Sequence, residues 1–406
     1  MNREFHYFAT YYAAMLAGFD EEESKKIAWA AEMVDELDSD LADDELKYDD
    51  NFVVTTQNSS WEMATENPQI SDDLNSRTSH GIRGIWAPFH FLPGHLEDGC
   101  YEREVVNKKR YKNELINIED HDPAYMDICL KLRCTPYSLT VDEMIRYIKG
   151  VYDSDADDDE RLYALGLCMH VFADTWAHDD FSGVPCYAVN TVKYVNVKNE
   201  DLDFNVKREY TISSLTNLGP AFSDVNSAIY TGHGQINHAP DYDFLLYGYY
   251  PRYKCPRKSA AALASGDMTI INNPERFREA FLGMCKALSF FRGELENYRG
   301  GNGRFDAEAD MVKKCIFIKT PKKDEADHEK IVIFKEDIWR AFLINRKCPT
   351  TDFKITDGDI SLFAKQARAY RNHILEYLNN ELKTLYPDPP IITFDIDEID
   401  KWIKSL

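Results

Sequence analysis

Residues 161–183 read RLYALGLCMHVFADTWAHDDFSG, and this stretch decides the fold. Leu162, Leu165, Leu167, Val171, Phe172 and Ala173 give it the apolar content of a buried helix. His170, Asp174 and His178 recur at steps of four, so on a helix they stand one above another. Polar side chains in an apolar setting are costly unless partnered. A divalent metal ion is one such partner; a hydrogen-bonded network in which Asp174 orients a histidine is the other. At the usual helical rise His170 and His178 lie about 12 Å apart along the axis, too far to share one ion. The helix therefore reads as a spine joining two neighbouring metal positions, with Asp174 between them.

The remainder of the 406-residue chain fits a globular, mainly α protein with small β insertions. Hydrophobic residues make up 44%, and 70 acidic against 47 basic residues leave a net charge of −23. That balance argues against a footprint for duplex nucleic acid. Nine cysteines without CxxC spacing suggest reduced thiols and a cytoplasmic protein. The first residues lack the basic head and apolar core of a signal peptide, and no apolar run is long enough to span a membrane.

Helical patterns flank the central stretch. Phe5–Leu16 is aromatic and helix-like, and Gly18 ends it. Asp20 and Glu23 form a capping box for a helix over 21–37, whose apolar row Ile27, Ala28, Ala31 and Val34 continues into Asp35. Ser79–His95, with its glycines, prolines and histidines, reads as a looped wall over the site rather than a long helix. Helices are expected at 123–132 and at 140–151, the latter capped by Thr140 with Glu143 completing a box. A hairpin is expected from 187–197 and 204–212, and a short strand at 51–56. Residues 274–298 form an amphipathic helix. Beyond it come strands at 314–318 and 331–334 and helices at 336–344, 359–385 and 397–406. The expected division is a helical metal-binding domain over 1–300 and an α+β extension over 301–406, packed on it or continuous with it.

Other ligand-type residues gather around the central helix in sequence order. His6 and Asp35 precede it, and the Gly-rich loop holding His233, His238 and Asp241 follows. Between them one of His80, His90 and His95 is an expected ligand. His121, His328 and His373 have no clustered companions and read as surface or structural residues. There is no G-x-S-x-G elbow, P-loop or dinucleotide fingerprint.

This order resembles the zinc-dependent phospholipase C and single-strand nuclease superfamily, an all-helical trinuclear zinc fold. FHYFATYYAAMLAGF with Asp35, LGLCMHVFADTWAHDDFSG and GHGQINHAPD look more closely like an uncharacterised bacterial family related to it. The likeness covers roughly residues 1–300. It implies that His170 and Asp174 supply ligands, with Asp174 bridging two zinc ions. It implies that His178, His238 and Asp241 serve a third ion, with His233 competing, and that His6, Asp35 and either His80 or His90 serve the others. The superfamily also uses the amine and carbonyl of a processed N-terminal residue, whereas His6 here follows Met1. The expected activity is a metal-dependent phosphoesterase with one to three Zn2+ or other divalent ions. It would act on a phosphodiester or phospholipid head group, with Asp174 or Asp35 handling the water. The alternative is a non-catalytic, metal-stabilised helical module that binds a protein partner through the region after residue 300.

Overall fold

The computed structural model describes residues 1–38, 53–57, 77–96, 123–185, 187–190, 192–197, 231–236, 238–251, 269–301, 303–318, 321–323, 329–331, 335–348, 353–386 and 392–404. A π-helical turn at Phe5–Ala9 runs into α1 (Thr10–Leu16). Then come α2 (Glu21–Glu36), α3 (Arg77–Phe89), α4 (Pro123–Lys131), α5 (Leu139–Tyr152), α6 (Asp158–Ala177) and the short α7 (Tyr187–Asn190). Strands β1 (Val192–Val197), β2 (Leu246–Pro251) and β3 (Thr269–Asn272) precede α8 (Asn273–Phe291) and α9 (Asp306–Cys315). Strands β4 (Pro321–Lys323) and β5 (Glu329–Ile331) lead to α10 (Glu336–Asn345), α11 (Asp357–Leu385) and α12 (Ile396–Ile403). The fold is mainly α.

Helix α6 is the axis of the molecule. Every residue from Leu162 to Ala177 is buried, which is the mark of a helix enclosed on all sides. It starts where the Asp157 carboxylate accepts from the Asp159 N–H, with Asp158, Asp159 and Glu160 favourably placed in its first turn. Helices α2, α5, α8 and α11 pack around it. The approach of α2 is the tightest, because Gly166 has no side chain. A Cβ there would lie 2.2 Å from the Ile27 carbonyl oxygen and 2.6 Å from the Ala30 Cβ. The expected capping box of α2 is present: Glu23 N–H donates to Asp20 at 2.9 Å and Asp20 N–H to Glu23 at 2.8 Å.

Other expectations need correction. Arg77–Phe89 is a helix, not a looped wall. Its glycines are packing surfaces: a Cβ on Gly81 would meet Trp402 at 2.0 Å, and one on Gly84 would meet Ile399 at 2.5 Å. Pro88 sits one residue before the end of the helix and has no N–H to give the carbonyl four residues back. Helix α5 is capped by Ser138, whose hydroxyl accepts from Val141 N–H at 3.2 Å, and not by Thr140. Glu143 instead accepts from His373 on α11 at 2.6 Å. Residues 53–56 are not a strand. Residues 192–197 pair antiparallel with 246–251 in a three-stranded sheet ordered β1-β2-β3; the expected partner at 204–212 lies outside the described residues. The strand expected at 314–318 is the end of α9 and the turn after it, since Asp306, Glu308, Lys313 and Lys314 suit a helix dipole. Of the strand expected at 331–334, Ile331 closes β5 and the rest lies outside the described residues, as do His121 and His328.

Side chains from before and after residue 300 share one hydrophobic cluster, from Phe5 through Phe172 to Leu378 and Trp402. Tyr370 of α11 donates to the Pro88 carbonyl at 2.8 Å, and Arg371 pairs with Asp400 at 2.5 Å to tie α12 to α11. Among the described residues, no helix is long and apolar enough to cross a membrane.

Candidate metal centre

The close crossing at Gly166 sets the first contact of the site. One turn along α6, the His170 Nδ1–H donates to the Ala31 carbonyl at 2.8 Å. One turn beyond Ala31 on α2, Asp35 comes within 3.8 Å of His170 Nε2. Just past α3, the His90 Nε2–H donates to the Thr55 carbonyl at 2.8 Å. At the end of α6, the His178 Nδ1–H donates to the His90 carbonyl at 2.6 Å. A carbonyl oxygen only accepts, so each of these ring nitrogens must carry its hydrogen. In a neutral imidazole the other nitrogen is then a bare lone pair.

Those lone pairs converge. His170 Nε2 and His90 Nδ1 face each other at 3.3 Å, and lie 3.3 and 3.4 Å from Asp174 Oδ2. His178 Nε2 lies 3.5 Å from Asp241 Oδ1. Acceptors facing acceptors repel unless a cation lies among them. His6 adds to the same need. Its ring stacks on His170 with centroids 3.8 Å apart, and its Nε2 lies 3.2 Å from Asp174 Oδ1 and 3.9 Å from Asp35. Both His6 ring nitrogens are buried without a hydrogen bond. Burial first, and the nearby Met1 amine, push the His6 pKa down to about 4, so its ring is neutral. Orphaned buried nitrogens of this kind call for an explanation, and a divalent ion supplies one.

We distinguish an inner and an outer donor group. The inner group combines His6, Asp35, His90, His170 and Asp174. The outer group is His178, His233 and Asp241, with His238 Nδ1 3.3 Å from Asp241. Asp174 stands between them, 3.6 Å from His178 Nδ1. Burial pushes its carboxyl up, but the Met1 ammonium that donates to it helps hold it well below the usual carboxylate range. The Met1 α-amine is buried, donates to Asp174 and lies 3.7 Å from Asp241 Oδ1. The outer group is more open: His233 is 11% exposed, Asp241 14% and His238 57%. The Asp241 turn is held by Asn273, whose side-chain amide donates to the Ala239 and Tyr242 carbonyls at 2.7 and 2.8 Å.

A fourth set, His95, Asp179 and Asp180, is of another kind. Arg133 pairs with Asp180 at 3.0 Å and Arg276 with Asp179 at 3.2 Å, while Arg276 also donates to the Ala177 carbonyl at 3.4 Å. The guanidinium groups already balance these carboxylates, so the set clamps the turn carrying His178 rather than caging a cation.

Residues 1–389 match the profile of a family of unknown function, DUF6765. The chain belongs to that family. Neither a curated protein nor a solved structure gives a significant match to it.

The structure thus gathers His6, Asp35, His90, His170, Asp174, His178, His233, His238 and Asp241. Among the described residues His80 is outside all four groups; it packs against the Arg83 guanidinium at 2.7 Å. Sequence reasoning missed the Ala31, Thr55 and His90 carbonyls, which any residue type supplies. It also missed Asn273 and the Met1 amine. Trp86 and Phe89 are core residues.

Proposed function

We propose that the chain is a metal-dependent phosphoesterase, with zinc the expected ion. The observation that carries this reading is the set of three carbonyl-anchored histidines, His90, His170 and His178, aiming lone pairs into shared carboxylates. Imidazole and carboxylate donors without thiolate suit zinc and its divalent neighbours. Bound ions of this type lower the pKa of a coordinated water and polarise a phosphoryl oxygen.

The chain's own groups supply the rest. Asp174 turns Oδ1 toward His6 and Oδ2 toward His90 and His170, so its two oxygens would serve an ion on either side. Asp35 is 35% exposed, so its carboxylate can orient or deprotonate a water entering from solvent. The net charge of −23 disfavours long polyanions and leaves small or lipid phosphoesters as the substrate class. The residues that resemble the phospholipase C and nuclease superfamily support phosphoester over other hydrolysis. The openness of the outer group favours catalysis over a closed, purely structural metal site.

The test is elemental analysis of the purified chain with a phosphodiester and phospholipid panel, on wild type and Asp174→Asn. The expected outcome is stoichiometric divalent metal, with turnover falling more than about 100-fold and metal content at least halved in the variant. Absence of stoichiometric metal, or an Asp174→Asn variant with unchanged turnover, defeats the reading. Unfolding on chelation with no turnover at all would instead establish the structural-module alternative.

A further inference from the structure

The region after residue 300 reaches the metal centre through one buried ammonium. Lys335, just before α10, is 1% exposed at its side chain and pairs with Asp243, itself 3% exposed, at 2.6 Å. Its Nζ also donates to the Ile316 carbonyl at 2.6 Å and the Ile318 carbonyl at 2.9 Å. Three acceptors use all three ammonium hydrogens, so the pair is ionised despite its burial. The Nζ lies 5.0 Å from the Phe244 ring centre.

What Lys335 holds is more telling than how it is held. Asp243 is two residues from Asp241, the outer group's carboxylate. It also accepts a hydrogen bond from the Asn2 side chain. Asn2 in turn organises the first turn of the chain: its side-chain oxygen accepts from Phe5 N–H at 2.9 Å, and its carbonyl accepts from Phe5 and His6 N–H at 3.1 Å. One carboxylate thus joins the turn bearing Asp241 to the turn bearing His6. A buried ion pair is a poor source of stability, since apolar residues of similar size often do as well or better. What it provides is fixed geometry between the segments it joins.

We propose that Lys335 is a positioning residue of the metal centre, locking Asp243 so that the Asp241 turn and the first turn of the chain keep one mutual register. The proposal rests on the metal-centre reading above. It gives the segment after residue 300 a role at the site without placing any ligand there.

The experiment uses the full chain, chelated and titrated with cobalt(II), read by d–d absorption and by bound cobalt per chain. His233→Ala identifies which part of the signal belongs to the outer group. Lys335→Met strands the Asp243 charge, so the double variant Lys335→Met/Asp243→Leu removes both charges together. Asn2→Ala cuts the link from Asp243 to the first turn, and with it the side-chain bond to Phe5 N–H, while leaving the Lys335–Asp243 pair in place. The expected result is that the double variant unfolds thermally like wild type in the apo state yet binds outer-group cobalt about 10- to 100-fold more weakly. The inner-group signal is retained, and Asn2→Ala shows a weakening of the same kind. If the double variant matches wild type in cobalt number and affinity, or if it loses fold and all cobalt together while Asn2→Ala binds normally, the proposal is overturned. Wild type that binds no cobalt fails at an earlier point: it defeats the metal-centre reading itself.

Discussion

The inner and outer donor groups meet at Asp174 but are built from different materials. The inner group stands on α2, α6, the first turn of the chain and the residue just past α3. His6, His90, His170 and Asp174 are all nearly inaccessible, and His90 and His170 are each anchored to a backbone carbonyl. The outer group takes only His178 from the end of α6; His233, His238 and Asp241 come from short 3-10 turns with solvent beside them. Side chains on packed helices are pre-organised, whereas loops at a surface can exchange ligands. The contrast teaches a division of labour: on the proposed reading the inner group would fix an ion, and the outer group would give a substrate oxygen room.

The sharpest way to break this comparison is at Gly166. A valine there forces α2 away from α6, and overpacking of this kind costs about 1–3 kcal/mol. The same movement withdraws the Ala31 carbonyl from His170 and Asp35 from His170 Nε2. Gly166→Val is expected to lower the thermal midpoint and to deplete inner-group metal; calorimetry and elemental analysis check it. Retention of full metal content would show that the crossing does not set the site.

A smaller effect separates the two loop histidines of the outer group, His233 and His238. His233 is mostly covered while His238 is more than half exposed. His233→Ala should weaken the outer ion more than His238→Ala, and both should leave apo stability within about 0.5 kcal/mol of wild type. Equal or reversed losses in a metal titration would reassign the ligand.

Acidification should act on both groups in one direction. Asp174 has a depressed carboxyl in the folded chain, so its contribution to apo stability is present above the ordinary carboxylate pKa. It is lost as pH falls through the lowered folded value. Metal loss should come first, because the histidines must be neutral to bind. Burial keeps His6 neutral down to about pH 4. Equilibrium unfolding of chelated and metal-loaded protein against pH would show the loaded form losing its advantage before the apo form weakens.

The smallest effect on metal content is expected at His80. Its replacement by alanine costs about 1–3 kcal/mol if it leaves the Arg83 guanidinium under-satisfied. Metal content should not change, and a fall in bound metal per folded chain would return His80 to the site.

The parts of this protein legible in the sequence are those carried by local spacing. The four-residue steps from His170 through Asp174 to His178, the Asp20–Glu23 box and the apolar row leading to Asp35 are set within one or two helical turns, where backbone geometry alone fixes which side chains align. Reading His178 and His170 as belonging to different positions needed only the helical rise. Tertiary structure decided the rest. Selecting His90 over His80 depends on whether a residue lies past the end of α3 or inside it, and that end was misread because Gly81 and Gly84 looked like breakers when they are seats for Trp402 and Ile399. Which ring nitrogen faces inward depends on carbonyls of Ala31, Thr55 and His90, groups common to every residue and therefore invisible to side-chain patterns. The arrival of Lys335 at Asp243 spans 92 positions of chain. Periodicity holds only within an element; contacts between elements follow from how closely helices can pack, and that is settled only when the whole chain is folded.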